Sequence, residues 1–186
     1  MALPDLSAKL LVATPALVDP NFDHAVIFIL AHGIAGALGL VINRPSDGAV
    51  DEFVPGWGLV AAPPAQVFMG GPVGLDSVIG LGWVEDGAAN ENAFTSLLGP
   101  VGTVDLHRSP DDAGVPLRHV RLFAGSAGWA PRQLENEIAE GSWFIVDAEP
   151  DDIFTPDPAG LWQAVLRRQP GKLAWFAHAT ADPRFN

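Results

Sequence analysis

The run Ala124-Gly125-Ser126-Ala127-Gly128 is the place in this sequence where a nucleophile could be presented on a tight turn. In a strand–serine–helix elbow, small residues two positions either side permit the bend, and a following N–H helps form an oxyanion hole. Asp147 and His178 come later in the Ser…Asp…His order of an α/β-hydrolase, so a catalytic triad can be written down. Three observations oppose it. The next helix is expected to start near Pro131, several residues after Ser126 rather than immediately. Little chain remains beyond the serine for the strands that present an acid and a base. Asp147 and His178 are chosen by order alone. The favoured reading is a structural glycine corner, with a serine-dependent hydrolase as the alternative.

Two other segments carry polar chemistry. Thr14-Pro15 through Asp23-His24 places a hydroxyl, carboxylates and an imidazole after a strand end, where they could hold a small polar ligand at the mouth of a sheet. The competing reading is a connection in which Asp19 forms an Asx-type turn while Asn21 and His24 bond nearby backbone. Arg44, one of few cations, could form an anion pocket beside Gly70-Gly71, or tie to Asp47, Glu52 or Asp76. Gly70-Gly71-Pro72 lacks the lysine and hydroxyl of a P-loop and the spacing of a dinucleotide fingerprint. The five histidines never fall three or four apart, so no metal and no cofactor is expected. Trp57, in Pro55-Gly56-Trp57-Gly58, has no supporting periodicity and is expected to cap a loop or meet a partner.

Composition narrows the classes further. A net charge of -12 repels nucleic acid and anionic lipid, so direct binding of either is not expected. Arg167, Arg168 and Lys172 form the only close basic group, and Arg167 and Arg168 are assigned to the end of a helix. Without cysteine there are no disulfides and no thiolate catalysis. No run approaches the roughly 18–20 apolar residues of a membrane span, and the N-terminus is a poor signal peptide. A cytoplasmic protein is the simplest expectation.

The elements that position these residues follow from apolar patterning. Strands are expected at residues 10–13, 25–30, 37–42, 67–69, 77–84 and 101–106. The uninterrupted run at 25–30 reads as covered on both faces, and 25–30 with 37–42 as an antiparallel hairpin across a loop of about five residues. Residues 47–64 should hold a helical turn plus loop, and 85–92 an irregular polar stretch. Asp111-Asp112 and Asp151-Asp152 are read as solvated loops. From Val120 to Asp147 the chain reads as strand, glycine corner, short helix and strand. Pro131 suits the first helical position, Leu134 and Ile138 share the buried face, Glu135, Asn136 and Glu140 face water, and Gly141 ends the helix. The apolar run at 143–146 reads as an interior strand. A helix is expected at 159–168, a last strand at 172–177 and a polar tail from 181. Strands dominate the first half and helices enter the second, giving an α+β fold with a mixed sheet in a single domain, 1–186.

The order and spacing of several short motifs resemble the AlgH/YqgE-like family of bacterial proteins. They are Leu10-Leu11-Val12-Ala13-Thr14-Pro15, Asp19-Pro20-Asn21-Phe22, residues 36–45, and Gly70-Gly71-Pro72-Val73. Gly125, Ala127-Gly128-Trp129, Gln133-Leu134-Glu135, Glu137-Ile138, Gly141-Ser142-Trp143 and Leu161-Trp162 complete them. The resemblance implies a compact fold with a branched mixed sheet, part of it curled into a small barrel, flanked by short helices. It implies no known catalytic residues, and the position of Ser126 is commonly aromatic in that family.

The expected function is non-enzymatic recognition of a protein or a small polar ligand, with Thr14, Pro15, Arg44, Gly70, Gly71 and Trp129 as candidate contacts. An indirect regulator of transcription acting through a protein partner is the remaining alternative.

Overall fold

The computed structural model describes residues 4–85, 94–112, 114 and 116–177. The first strands are β1 (Lys9–Ala13), β2 (Val26–Gly33) and β3 (Gly36–Val41). They run antiparallel, with Leu11 opposite Ile27 and Ile27 opposite Val41. Their alternation feeds two cores. Leu10, Val12, Val26, Phe28 and Leu40 point into one, and Leu11, Ala13, Ile27, Ile29 and Val41 into the other. Burial on both faces is why residues 25–30 are apolar without a break. The β2–β3 turn is tighter than expected, because Gly33 pairs with Gly36 and leaves only Ile34-Ala35 between them.

Next come β4 (Pro45–Ala49), α1 (Val50–Phe53), β5 (Gln66–Met69) and β6 (Val73–Val84). β3 ends at Val41, ahead of Asn43-Arg44. Pro45 opens β4, which pairs with β5 on one side, where a missing N–H is tolerated. The hairpin β7 (Phe94–Leu98) and β8 (Val101–Val104) joins β6 through β8. Residues 94–98 carry too few branched positions to have stood out as a strand. The irregular reading of 86–92 lies outside the described residues.

β9 (Leu117–Trp129) corrects the expected glycine corner. The strand continues through Gly125, Ser126, Ala127 and Gly128 instead of stopping. Along residues 117–126 it is antiparallel to β6, and Phe123 and Ala124 also pair in parallel with Phe68 and Met69 of β5. From Ala127 to Trp129 its partner becomes β3. Gly125 sits at this handover with φ +70, and a Cβ there would lie 2.5 Å from the Gly71 carbonyl oxygen. Small residues therefore serve close approach of two backbones, not a bend toward a helix. Gly70 completes the branch: its N–H donates to the Ala124 carbonyl, and its own carbonyl accepts from the Val41 N–H.

After β9 come α2 (Gln133–Ala139), β10 (Trp143–Asp147), α3 (Pro150–Ile153), α4 (Leu161–Arg167) and α5 (Leu173–Phe176). Pro131 is not the first helical residue. Pro131 and Arg132 form a turn, with Arg132 at φ +67, and α2 starts one residue later. The N–H groups of Gly141 and Ser142 close its last turn onto the Ile138 and Glu137 carbonyls.

β10 is an edge, not an interior strand, because β1 is its one neighbour among the described residues. Its unbroken apolarity has another cause. Trp143 and Ile145 face the core under α2, while Phe144 and Val146 face the core that holds α4. Phe144 also packs on Phe176 with ring centroids 5.2 Å apart. That Phe176 belongs to α5, so residues 172–177 are helical rather than a last strand. A short apolar run cannot tell the two apart.

The result is an α+β fold whose branched mixed sheet forms a curled half-barrel flanked by short helices. Three apolar cores meet along β9, which supplies Phe123 to the first, Ala127 and Trp129 to the second, and Val120, Leu122 and Ala124 to the third. Trp57 belongs to the third core at 1% exposure, and its Nε1–H donates to the Arg108 carbonyl. It is not free to meet a partner.

Two charged groups, Asp152 and Arg121, are buried. Asp152 is buried, not solvated, and receives both guanidinium branches of Arg168. Arg168 caps the C-terminal end of α4, as expected, and from there makes a two-pronged ion pair that raises its pKa. Arg121 on β9 is 1% exposed and lies 4.2 Å over the Phe68 ring. It donates to the carbonyls of Ala62, Pro63, Ile153 and Thr155, which fastens two connections to the strand. Its Nε has no hydrogen-bond partner among the described residues. Burial pulls its pKa down to about 10, so it stays protonated at neutral pH.

Candidate functional site

A cleft of about 960 Å³ opens between the β2–β3 hairpin tip, the N-terminal segment and α2. The hairpin contributes His32 and Ile34, the N-terminal segment Asp5, and α2 with its preceding turn Arg132, Glu135 and Ile138. A second recess of about 490 Å³ shares His32, Gly33 and Ile34 and is bordered by Leu38 and Trp129. Gly36 makes the hairpin's approach possible. At φ +116 its missing Cβ would fall 2.0 Å from the Trp129 carbonyl oxygen.

His32 ties the three walls together. The Leu6 N–H donates to its Nδ1 at 3.2 Å, and its own backbone N–H donates to Ser7 Oγ at 3.1 Å. Since Nδ1 accepts, the proton of the neutral ring resides on Nε2 and donates to Glu135 Oε1 at 3.2 Å. Asp5 Oδ1 lies 4.0 Å from Nδ1. The Asp5 carboxyl also accepts the Ser7 N–H, which holds its pKa below the usual aspartate range, with a smaller contribution from His32.

Behind the second recess, Glu137 gathers two indoles. Trp129 Nε1–H and Trp143 Nε1–H both donate to Glu137 Oε2, at 2.8 and 2.9 Å, and Gln133 Nε2 donates to Oε1 at 2.9 Å. The two tryptophans meet edge to face with centroids 6.2 Å apart. This cluster fixes α2 against the sheet and so sets the width of the cleft.

The sequence-derived candidates are dispersed. Thr14 is buried, its hydroxyl donating to the Gly141 carbonyl at 2.9 Å, while neighbouring Pro15 is exposed. Asp19 does form the Asx turn, accepting the Asn21 N–H at 2.8 Å. Arg44 meets none of the three carboxylates considered for it. It donates to the Asn21 and Asp23 carbonyls and braces that same turn. Gly70 and Gly71 lie against the backbone of residues 125–127 at the sheet branch. Trp129 alone borders the recess beside the cleft.

The triad residues are not assembled. Ser126 is half-buried opposite Val73, and β10, which carries Asp147, is separated from β9 by β1, β2 and β3. Asp147 is instead paired with Lys9, and that contact lowers its pKa. His178 lies outside the described residues. Among the described residues no group of three or more His, Asp or Glu could hold a metal ion, and no helix is long and apolar enough to cross a membrane.

Sequence reasoning missed the residues that do converge. Glu135 was expected simply to face water, and Asp5 and His32 carried no motif. His32 and Glu135 are 103 positions apart, so only the fold brings them together. The single local signal is a histidine at the end of an otherwise apolar strand.

Comparison with known proteins agrees with this architecture. A family model described as "DUF179: AlgH-like" matches residues 10–174. A UPF0301 protein of Streptomyces avermitilis is 46% identical over 184 residues, covering 97% of this chain and 95% of its own. A UPF0301 protein of Mycobacterium avium is 41% identical over 178 residues, covering 95% of this chain and 89% of its own. Among solved structures, the crystal structure of a Corynebacterium diphtheriae protein superposes with a TM-score of 0.88 at 33% identity, over 96% of this chain and 94% of that one. The solution structure of AlgH from Pseudomonas aeruginosa gives a TM-score of 0.69 at 28% identity, over 98% of both chains. The branch at Gly70, the handover at Gly125 and the indole-bound Glu137 all fall within the matched span, and the chain belongs to the AlgH-like family.

Proposed function

We propose that this protein is a non-enzymatic binding protein that receives a small polar ligand in the cleft between the β2–β3 tip and α2. One observation carries the reading: a concavity of about 960 Å³ whose polar groups, Asp5, His32, Arg132, Glu135 and Asn136, come from three separate parts of the chain. Few polar groups converging in a concave site with apolar walls is the usual form of a small-molecule site. Of the six sequence-derived contacts, Trp129 is retained here, through the adjoining recess. We take residues 1–186 as one domain, which the sharing of β9 among three cores supports. We place the protein in the cytoplasm, where a chain without cysteine is at home.

The test is a ligand screen by amide NMR on the full chain, comparing wild type with Ile34→Glu. Saturable shifts at residues 31–36 and 132–139 that vanish in the variant are the expected result. Ligands that shift only residues remote from the cleft would remove the proposal.

A further inference from the structure

Resting on that cleft, we propose that its ligand is an organic cation: a primary ammonium or guanidinium on a short aliphatic body. The balance of charge along the wall carries the argument. The His32 side chain is 6% exposed, and its Nδ1 accepts the Leu6 N–H, so the ring is neutral. Two carboxylates approach this neutral ring, Glu135 at 3.2 Å and Asp5 at 4.0 Å, and receive no counter-charge from it. Arg132 is the one cation lining the cleft, and it makes no ion pair with the described residues. Two carboxylates against one guanidinium leave the wall negative.

Apart from Arg132, an anionic ligand would find few donors. The Ala130 N–H is taken by Gln133 Oε1, the Gln133 N–H by the Ala130 carbonyl, and the Asn136 N–H by the Arg132 carbonyl. Ile34, fully exposed at the hairpin tip, and half-buried Ile138 offer aliphatic surface for the stem of an amine. The net charge of -12 also draws cations and repels anions at long range.

The experiment is an amide NMR titration of the full chain with n-butylammonium chloride, sodium butyrate and 1-butanol. Butylammonium alone should give saturable shifts at Leu6, Ile34 and Asn136. Glu135→Gln should weaken binding by about fivefold to tenfold. Butyrate binding as tightly as butylammonium, or butylammonium binding unchanged in Glu135→Gln, would overturn the cation assignment. Binding of butanol or butyrate alone at these residues would do the same yet leave the cleft as a ligand site. No response to any of the three would overturn both proposals.

Discussion

Trp129 and Trp143, fourteen positions apart and on different strands, both place an indole N–H on the same carboxylate oxygen of Glu137. Each loses its partner if that oxygen is removed. Glu137→Gln keeps one acceptor oxygen, and should cost about 1–2 kcal/mol, whereas Glu137→Leu strands both indoles and should cost about 3 kcal/mol or more. Urea unfolding followed by tryptophan fluorescence checks this order. Equal stability of the two variants would show that the indole bonds contribute little.

Arg121 is held by four carbonyls and an aromatic face, and makes no ion pair among the described residues. Arg121→Ala should destabilise by about 3–5 kcal/mol, since several buried carbonyls lose their donor. Arg121→Lys keeps the charge but reaches fewer of the four, and should fall between wild type and alanine. Amide exchange should quicken first at residues 62–65 and 153–156, the connections that Arg121 fastens.

Arg44→Ala tests a different kind of tie. Its guanidinium braces the turn through the carbonyls of Asn21 and Asp23. The expected outcome is faster amide exchange at residues 19–24, with a stability loss of about 1 kcal/mol and no change in cleft binding. A large loss of ligand affinity would bring Arg44 back as a contact.

Ser126 lies within a strand, and Asp147 is three strands removed from it in the sheet order. A fluorophosphonate probe is expected to label wild type and Ser126→Ala equally or not at all. Ser126→Ala should change stability by no more than about 0.5 kcal/mol. Labelling that depends on Ser126 would restore the hydrolase alternative.

The Lys9–Asp147 pair joins the first and last strands of its ladder. Asp147 has a folded pKa depressed mainly by the Lys9 hydrogen bond. Its contribution is therefore present above the unfolded aspartate range, near about pH 4, and is lost as pH falls through the lower folded value. Carboxyl carbon NMR should show Asp147 titrating below ordinary aspartates, and Lys9→Met should return it toward them.

Much of the fold was legible wherever alternation or continuous apolarity reported a buried face, as at residues 10–13, 25–30 and 67–69. Apolarity counts covered faces, though, and not neighbouring strands, so residues 143–146 were placed inside the sheet rather than at its edge. Residues 172–177 failed for a related reason: six apolar-rich residues fit a strand or a helical turn equally well. The stretch 124–128 showed that small residues were required without showing what approached them, which was the backbone of Gly70 and Gly71. The cleft was least legible. Nothing local marks Asp5, His32 and Glu135 as neighbours, because a hairpin, a terminal segment and a helix must all be in place before they meet.

The β1–β10 pairing has a consequence for synthesis. Leu10 lies opposite Val146, so β1 leaves the ribosome well over a hundred residues before the strand it pairs with. Until then β1 can zip only to β2, and its other edge stays open to unwanted strands. Pairings so distant along the chain close slowly. Chains truncated before Trp143 should therefore aggregate during translation, and nascent-chain proteolysis should show protection arriving late and nearly all at once.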